Sequence, residues 1–249
     1  MRFTNVKFLG MLMLSIGLML QSATLRADVV IYSNVTNFTG FALTNGGATN
    51  QSGNTITRML LDDINFAFPP TYGNLTSFTF SVANLNSTAV SARARVRFYN
   101  DNGSNAPGTY LTGYSFTLNP LAAGSVTLLT YNVPPSPPAP FPATQKIWAG
   151  ITFDNNGGAT GATAAQLDNF GVGLFDPPTI GSSDDQFFLT TAAGSFLSSN
   201  PAGSIITGTG NPKYNAGWSF TTSVPEPGSL SLLLVGGLFA SCGVRRRLA

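Results

Sequence analysis

The sequence predicts an all-β protein whose main domain is a single antiparallel β-sandwich of the jelly-roll kind. Three observations support this prediction. Several short segments alternate apolar and polar residues, turn-forming Gly, Pro and Asn separate these segments, and the 249-residue chain is poor in charge and rich in glycine. This combination is typical of sandwiches and barrels. Between the two chain ends we find no convincing helix and no repeat of fixed period.

The N-terminus has the features of a secretory signal. A short, positively charged start precedes an apolar run over residues 8–20, and small residues follow it. This order is typical of a signal peptide, and the run is shorter than the roughly 20 residues that cross a bilayer. We expect a secretion translocon to export the chain and a signal peptidase to remove residues 1–27 by cutting after Ala27. A cut after Ala23 is the alternative.

The C-terminus has the features of a membrane-spanning segment. Residues 228–244 contain no charged side chain, and Arg245, Arg246 and Arg247 follow at once. At about 1.5 Å per residue, a helix of this length reaches roughly 26 Å, enough for the hydrocarbon core. Positive residues stay on the cytoplasmic side of the membrane. An exported chain would therefore stop in the inner membrane with its main domain outside.

A short motif, Val224, Pro225, Glu226 and Pro227, stands directly before this segment. Together with the apolar stretch and the arginines, it makes residues 223–249 resemble a PEP-CTERM sorting domain. The resemblance implies that an exosortase, a membrane-embedded cysteine transpeptidase-like enzyme, cleaves near the motif. The main domain would then reach the surface or matrix of a Gram-negative bacterium that makes exopolysaccharide.

The two prolines of the motif also suit a protease site, because they keep the chain extended and out of regular hydrogen bonding. The alternative interpretation of the same residues is a linker without a sorting function, followed by an ordinary membrane anchor.

Residues 28–222 form the predicted passenger domain, which contains neither cysteine nor histidine. Disulfides are therefore excluded within it, as are histidine-based catalytic and metal sites. Six basic residues face nine aspartates, a net charge of −3, so the domain lacks the basic surface that nucleic-acid binding needs. Residues 134–142 are proline-rich and should form a polyproline-like loop within one domain.

The clearest strand covers residues 91–99, where small and apolar residues alternate with Arg93, Arg95 and Arg97. This period of two predicts apolar side chains facing inward and arginines facing outward. Residues 100–108 are rich in turn formers and predict a hairpin with a long loop. The predicted strands, in chain order, are residues 75–82, 91–99, 114–118, 126–131, 147–153, 170–175 and 218–221.

Two Asx-rich loops are weak calcium candidates. Asp101, Asn102 and Asn105 lie in one loop, and Asp154 begins the other. They offer oxygen ligands of the kind that calcium accepts, but neither loop matches the twelve-residue calcium-binding pattern. Turns that cap their own backbone are the more common explanation. We therefore expect no cofactor, with calcium as the one candidate to test.

Carbohydrate binding has two weak candidates. The row of Arg93, Arg95 and Arg97 could bind the carboxylates or sulfates of an acidic exopolysaccharide, although a solvated, locally paired strand face is the more ordinary interpretation. Trp148 and Trp218 could stack on sugars, but aromatic residues at strand positions more often fill a core.

Catalysis is the less favoured hypothesis. A glycoside hydrolase needs two carboxyl groups across a groove, whereas the side chains of adjacent pairs such as Asp62 and Asp63, or Asp184 and Asp185, diverge on a strand. We interpret these acids as solvated loop residues. The passenger is therefore predicted to be a noncatalytic structural or carbohydrate-binding module of an exopolysaccharide or biofilm matrix. A secreted hydrolase using aspartates is the alternative, and a purely architectural passenger is a third.

Overall fold

The computed structural model describes residues 26–44, 46–51, 53–68, 74–135, 145–194, 198–208 and 213–225. The predicted signal peptide lies almost wholly outside these residues. So do Glu226, Pro227, the predicted membrane helix, the terminal arginines and most of the proline-rich loop. Within the described part of the chain, no helix is both long and apolar enough to cross a membrane.

The described residues contain fourteen strands and one short helix, and the span from Asp28 to Thr222 forms one compact unit. The elements, in chain order, are β1 (Arg26–Ser33), β2 (Phe38–Leu43), β3 (Thr49–Gln51), β4 (Asn54–Ile56), β5 (Leu60–Asn65), β6 (Leu75–Asn84), β7 (Val90–Asp101), β8 (Pro107–Leu121), β9 (Ser125–Asn132), β10 (Lys146–Asp154), α1 (Ala164–Asp168), β11 (Phe170–Phe175), β12 (Gln186–Thr190), β13 (Gly203–Thr207) and β14 (Trp218–Pro225).

The first sheet, sheet A, has the strand order β1, β14, β6, β11 and β2, and β9 also pairs with β6. The pairings of β6 are antiparallel, and its Phe80 lies opposite both Leu129 of β9 and Trp218 of β14. β11 meets β6 at Phe170, opposite Asn84, and pairs along its length with β2. Strands β2 and β9 therefore lie on opposite sides of the β6–β11 region.

The second sheet, sheet B, has the order β13, β12, β5, β10, β4 and β3, and β7 pairs with both β10 and β8. Strand β10 is central. It pairs antiparallel with β5, where Lys146 lies opposite Asn65, and with β7, where Asp154 lies opposite Arg93. β5 is covered on its other side by β12.

The hydrophobic core lies between the two sheets. Phe78 of β6 packs edge-on against Phe98 of β7 with ring centroids 5.3 Å apart, and Phe98 also contacts Phe220 of β14 at 5.4 Å. All three side chains are buried. Edge-on aromatic contacts of this kind add to the burial of apolar surface. Because these contacts join the two sheets face to face, the prediction of an all-β antiparallel sandwich is confirmed.

All seven predicted segments lie in strands, and most of the strands are longer than predicted. The segment 91–99 is the centre of β7, which forms the predicted antiparallel hairpin with β8. The segment 218–221 begins β14, which continues to Pro225. Strands β1 to β5, β12 and β13 were not predicted, because they are short or lack a clear alternation of apolar and polar residues.

The expectation of no helix is wrong for α1. Thr163 caps this five-residue helix: the Gln166 backbone N–H donates to Thr163 Oγ1 at 3.2 Å, and the Thr163 N–H donates to Gln166 Oε1 at 2.9 Å. This reciprocal pair of hydrogen bonds is a capping box. One and a half helical turns are too few to produce a recognisable apolar periodicity.

Candidate functional site

Two aspartates lie side by side in the centre of sheet B. Asp62 and Asp63 of β5 are 1% and 0% exposed, so the prediction that they are solvated loop acids is wrong. Neighbours on a strand point to opposite faces. The Asp62 side chain points toward the core, as Leu60 and Ile64 do, whereas the Asp63 side chain points to the outer face of the sheet, as Leu61 does. The physical reason for their burial is that β5 is flanked by β10 and β12, with covering residues on both faces.

Asp62 is held by hydrogen bonds from elsewhere in the chain. The Ala216 backbone N–H donates to Asp62 Oδ2 at 2.8 Å, and the Ser183 hydroxyl lies 3.1 Å from Oδ1. Burial and the neighbouring charge of Asp63 raise the pKa of Asp62 well above its ordinary value, although these hydrogen bonds act in the opposite direction. The folded protein therefore favours the neutral carboxyl group.

The loop over residues 176–185 positions Ser183. Its backbone forms isolated antiparallel bridges, Ile180 with Ser33 and Ser182 with Asn65. Between them Gly181 has φ +78°, and a Cβ there would lie 2.5 Å from the Asn65 carbonyl oxygen. Only glycine fits this close approach at a positive φ. The loop can therefore cross the end of β5 closely enough for Ser183 to reach both aspartates.

Lys146 lies between the buried Asp63 and the exposed Asp184 and contacts both. Its Nζ lies 2.9 Å from Asp63 Oδ2 and 3.3 Å from Asp184 Oδ2, and it donates to Asn105 Oδ1 at 2.6 Å. Burial raises the pKa of Asp63 to about 6, against the lowering effect of Lys146. Burial lowers the pKa of Lys146, but its contacts with the two aspartates outweigh this effect and raise it. The ammonium group also lies 5.5 Å from the centre of the Trp148 ring.

A carboxyl group with a pKa near 6 has the acidity of a general acid or base. Asp63, however, is fully buried, and its Oδ2 accepts from both Lys146 and the Asp184 backbone N–H. Asp184 itself is well exposed, and Asp185 Oδ1 accepts the Tyr214 backbone N–H at 2.5 Å. This geometry ties β5, β10 and the loop over residues 176–185 together at one end of the sandwich.

A second cluster surrounds Asp154 on the outer side of sheet B. Arg93 Nε donates to Asp154 Oδ1 at 2.7 Å, and Arg95 Nε donates to Oδ2. Arg93 Nη1 also donates to Asn156 Oδ1. The Asp154 side chain is fully buried beneath Arg93 and Arg95, whose side chains are 21% and 17% exposed. Two of the three arginines proposed as glycan contacts therefore form a largely self-satisfied ion cluster.

The third arginine of the row, Arg97, is buried at 6% exposure. The alternation along β7 is as predicted, but the expectation that this side chain faces solvent is wrong. Arg97 Nη1 donates to the Val96 and Tyr114 carbonyl oxygens at 2.7 and 2.9 Å. The guanidinium lies against the adjoining strand β8, where a Cβ on Gly113 would meet it. Burial lowers the pKa of Arg97, and the residue offers little surface to a ligand.

The oxygens of the calcium candidates accept hydrogen bonds within the protein. Asp101 Oδ1 and Oδ2 accept from the Gly103 N–H and from Trp148 Nε1, at 2.7 and 2.8 Å. Asn102 Oδ1 accepts the Ser104 N–H at 2.8 Å, as expected of an Asx-rich turn. Asn105 Oδ1 accepts from Lys146, and the Asp154 carboxylate accepts from Arg93 and Arg95. Among the described residues, no group of three or more His, Cys, Asp or Glu side chains could hold a metal ion.

An open apolar groove lies on the outer side of sheet A and was not predicted from the sequence. We call it the sheet A groove; its volume is about 560 Å³, and its lining residues are Phe38, Gly40, Phe41, Leu85, Gly124, Val126, Leu128 and Phe175. Phe38 and Phe41 of β2 are 55% and 50% exposed. The β2–β11 pairing has an irregularity in this region, which allows both side chains to face the groove although they are three residues apart. The sequence therefore shows no alternating pattern here.

The two tryptophans are in the interior, with Trp148 and Trp218 at 0% and 1% exposure. Neither forms an exposed platform for sugars.

No family model matches the chain, and no curated protein matches it. Among solved structures, the chain is similar to one described as "Structure of infectious bursal disease virus Gx strain". The sequence identity is 12%, the TM-score is 0.29, and the match covers 81% of this chain and 36% of that chain.

Proposed function

We propose that this chain is an exported, noncatalytic component of the cell surface or extracellular matrix, processed by an exosortase at residues 224–227. The observation that carries the proposal is the order of features at the C-terminus: the Val-Pro-Glu-Pro motif, seventeen uncharged residues, then three arginines. Strand β14 is described as far as Pro225. A cut at or after this residue would release the sandwich with its last strand intact.

The proposal includes the finer assignments that the sequence predicts. These are a signal peptide over residues 1–27, a jelly-roll arrangement of the sandwich, and a membrane helix over residues 228–244 that holds the chain in the inner membrane until it is sorted. The mature protein would then lie on the surface or in the exopolysaccharide matrix of a Gram-negative bacterium.

A structural role for the passenger is supported by how its acids are used. Asp62, Asp63 and Asp154 are buried and each accepts hydrogen bonds from protein donors. A hydrolase would need two carboxyl groups that face a substrate. The partly exposed edges of Arg93 and Arg95 are the remaining candidates for weak contact with an acidic polysaccharide. The observation that favours the hydrolase alternative is the pKa of Asp63 near 6.

The sorting proposal is tested by the intact mass and terminal peptides of the protein recovered from its host envelope and matrix. We expect a start near Asp28 and an end near Pro225 to Pro227, both compared with a strain that lacks the sorting enzyme. In that strain the C-terminal cut should be lost while the N-terminal cut persists. Recovery of Arg245 to Ala249 in the wild-type strain would show that the tail is an ordinary anchor.

The passenger's role is tested with an acidic exopolysaccharide. We expect no turnover by the wild-type protein and none by Asp63→Asn. Any binding should weaken in an Arg93→Gln, Arg95→Gln double variant and persist in Lys213→Gln, a matched loss of exposed charge. Polysaccharide cleavage that disappears in Asp63→Asn would establish the hydrolase alternative instead.

A further inference from the structure

We propose that a sodium ion binds beside Asp62, on its core-facing side. The side chains that would hold the ion come from separate parts of the chain, and we call them the oxygen cluster: Tyr32, Asn34, Asp62, Ser183 and Asn215. The inference goes beyond the proposed function and does not depend on export or sorting.

The Ser183 hydroxyl is surrounded by more acceptors than it can serve. Its Oγ lies 3.1 Å from Asp62 Oδ1 and 3.2 Å from Asn215 Oδ1. The Asp184 carbonyl oxygen and Asp63 Oδ1 follow at 3.3 and 3.4 Å. A hydroxyl carries one proton and can donate it to only one of these oxygens. The remaining close oxygen pairs need a further proton or a cation between them.

The Asn215 amide cannot turn to relieve this crowding. Its Nδ2 donates to Asp176 Oδ1 at 3.0 Å, so its Oδ1 is the atom that faces Ser183. Asn215 is also buried, which limits the access of bulk water to this oxygen. The amide therefore contributes a fixed acceptor to the cluster.

The Tyr32 hydroxyl is aimed at the same place. Tyr32 is 0% exposed, and its hydroxyl has no hydrogen-bond partner among the described residues. Burial, followed by the charges of Asp62 and Asp63, raises its pKa well above the ordinary value. The Ser183 and Asn34 side chains lower this pKa, so they lie beside the hydroxyl, although neither meets it in hydrogen-bonding geometry.

Asn34 supplies a second oxygen without a partner. Its Nδ2 donates to the carbonyl oxygens of Phe175 and Ala216 at 2.8 and 3.2 Å. These two bonds fix the orientation of the amide, and in the part of the chain that the structure describes no donor reaches the buried Asn34 Oδ1. Buried polar atoms in native proteins are nearly always satisfied by protein, water or an ion. The unpartnered oxygens of Asn34 and Tyr32 therefore point to a ligand.

The charge around Asp62 selects a monovalent cation. Asp63 has a counter-ion, because Lys146 Nζ lies 2.9 Å from its Oδ2. Asp62 accepts from neutral donors, the Ala216 N–H and the Ser183 hydroxyl, and no salt bridge between described residues includes it. A water molecule would leave this carboxylate without a counter-charge, and a divalent ion would leave an uncompensated positive charge in the interior.

The spacing of the oxygens fits sodium. Adjacent ligands in an octahedral shell lie about 3.4 Å apart when each is about 2.4 Å from the ion, a distance typical of calcium and of the similarly sized sodium ion. The distances from Ser183 Oγ to Asp62 and Asn215, 3.1 and 3.2 Å, are close to this spacing. The larger potassium ion would need the oxygens to spread further apart.

Sodium and a proton compete for Asp62. Burial and the charge of Asp63 raise the pKa of Asp62, so without a cation the folded protein favours the neutral acid. The other titratable groups on this side are Tyr32 of β1 and, beyond Ser183, the exposed Asp184; Lys146 of β10 contacts Asp63 and Asp184. Because sodium binds the ionised carboxylate, its stabilising effect should grow as the pH rises through the pKa of Asp62.

Urea unfolding of the full chain in a mild non-ionic detergent tests the site. Sodium chloride is compared with choline chloride at the same concentration, so that ionic strength is constant. At about pH 8 we expect the unfolding equilibrium constant to be at least about tenfold smaller in about 0.3 M sodium than in choline. The effect should be smaller at acidic pH and with potassium, absent in Asp62→Asn, and retained in Asp28→Asn, which removes an exposed acid.

Tyr32→Phe distinguishes a sodium ligand from a merely structural residue. In choline chloride, loss of an unpartnered buried hydroxyl should leave the stability unchanged or increase it. In sodium chloride, the same change should weaken sodium binding at least about fivefold, because one ligand is lost. Tyr131→Phe, which removes a hydroxyl from β9, is the matched control and should not alter the sodium effect.

Equal unfolding constants in sodium and choline chloride would overturn the proposal. So would a sodium effect that persists in Asp62→Asn, or millimolar calcium that takes the place of sodium. If Asp62→Asn does not fold, Tyr32→Phe decides: a variant that is destabilised in choline and keeps the full sodium effect would refute the site.

Discussion

Replacement of Asp62 by asparagine should flatten the pH dependence of this protein's stability. Asp62 is 1% exposed, and burial raises its pKa well above the ordinary value near 3.8. A group whose pKa is raised by folding stabilises the protein fully below the unfolded pKa, and this stabilisation is lost as the pH rises through the folded pKa. Asparagine has a similar shape and can still accept the Ala216 N–H, but it does not titrate.

The magnitude follows from the number of protons involved. Between the unfolded and folded pKa values, the native protein holds one more proton than the unfolded chain at this site. The free energy of unfolding should then fall by about 1.4 kcal/mol for each pH unit because of Asp62 alone. Asp63, whose pKa is about 6, should add a similar fall below that pH. The Asp62→Asn protein should retain only the Asp63 part of the slope.

The assay is urea unfolding at several pH values from 4.5 to 7.5, followed by the fluorescence of the buried Trp148 and Trp218. Asp28→Asn, which removes an exposed acid from β1, is the control for loss of charge alone. If the wild-type and Asp62→Asn proteins show the same slope, the carboxyl group is not held neutral and the reasoning fails.

Three further changes test other parts of the structure by urea or thermal unfolding. Asp154→Ala should cost about 3 kcal/mol, because it leaves Arg93 and Arg95 without their shared carboxylate, whereas loss of either arginine alone should cost less. Gly181→Ala should cost at least about 2 kcal/mol, because a Cβ would meet the Asn65 carbonyl oxygen at a positive φ; an unchanged midpoint would contradict this. Millimolar calcium should not shift the melting temperature, since the Asx-rich loops already bind protein donors; a clear increase would revive the calcium hypothesis.

The sequence predicts the sandwich because its longest strands obey the period of two. In β7, Ala94 and Val96 face the core, and Arg93 and Arg95 face outward. This strand can therefore be predicted from the local sequence alone. Burial of Arg97 depends instead on strand β8, whose Tyr114 carbonyl oxygen accepts its hydrogen bond. No local pattern carries that information.

Asp62 and Asp63 show the same dependence on distant parts of the chain. Asp62 and Asp63 stand between Leu61 and Ile64, an apolar surrounding that could have signalled burial. Their partners come from distant positions, with Ser183 more than a hundred residues away. The sheet A groove is likewise built from β2, β9 and β11, which become neighbours only in the folded sheet. Tertiary contacts, not local propensity, create both features.

The strand order of sheet A also constrains when the protein can fold. β1 lies next to β14, so the first strand acquires its neighbour only after the last strand of the sandwich has been made. Contacts between residues so distant in sequence form slowly, because the entropic cost of loop closure must be overcome before the contacts stabilise the structure. In a chain that emerges from its N-terminus, β1 therefore cannot complete its pairing in sheet A until β14 has been made.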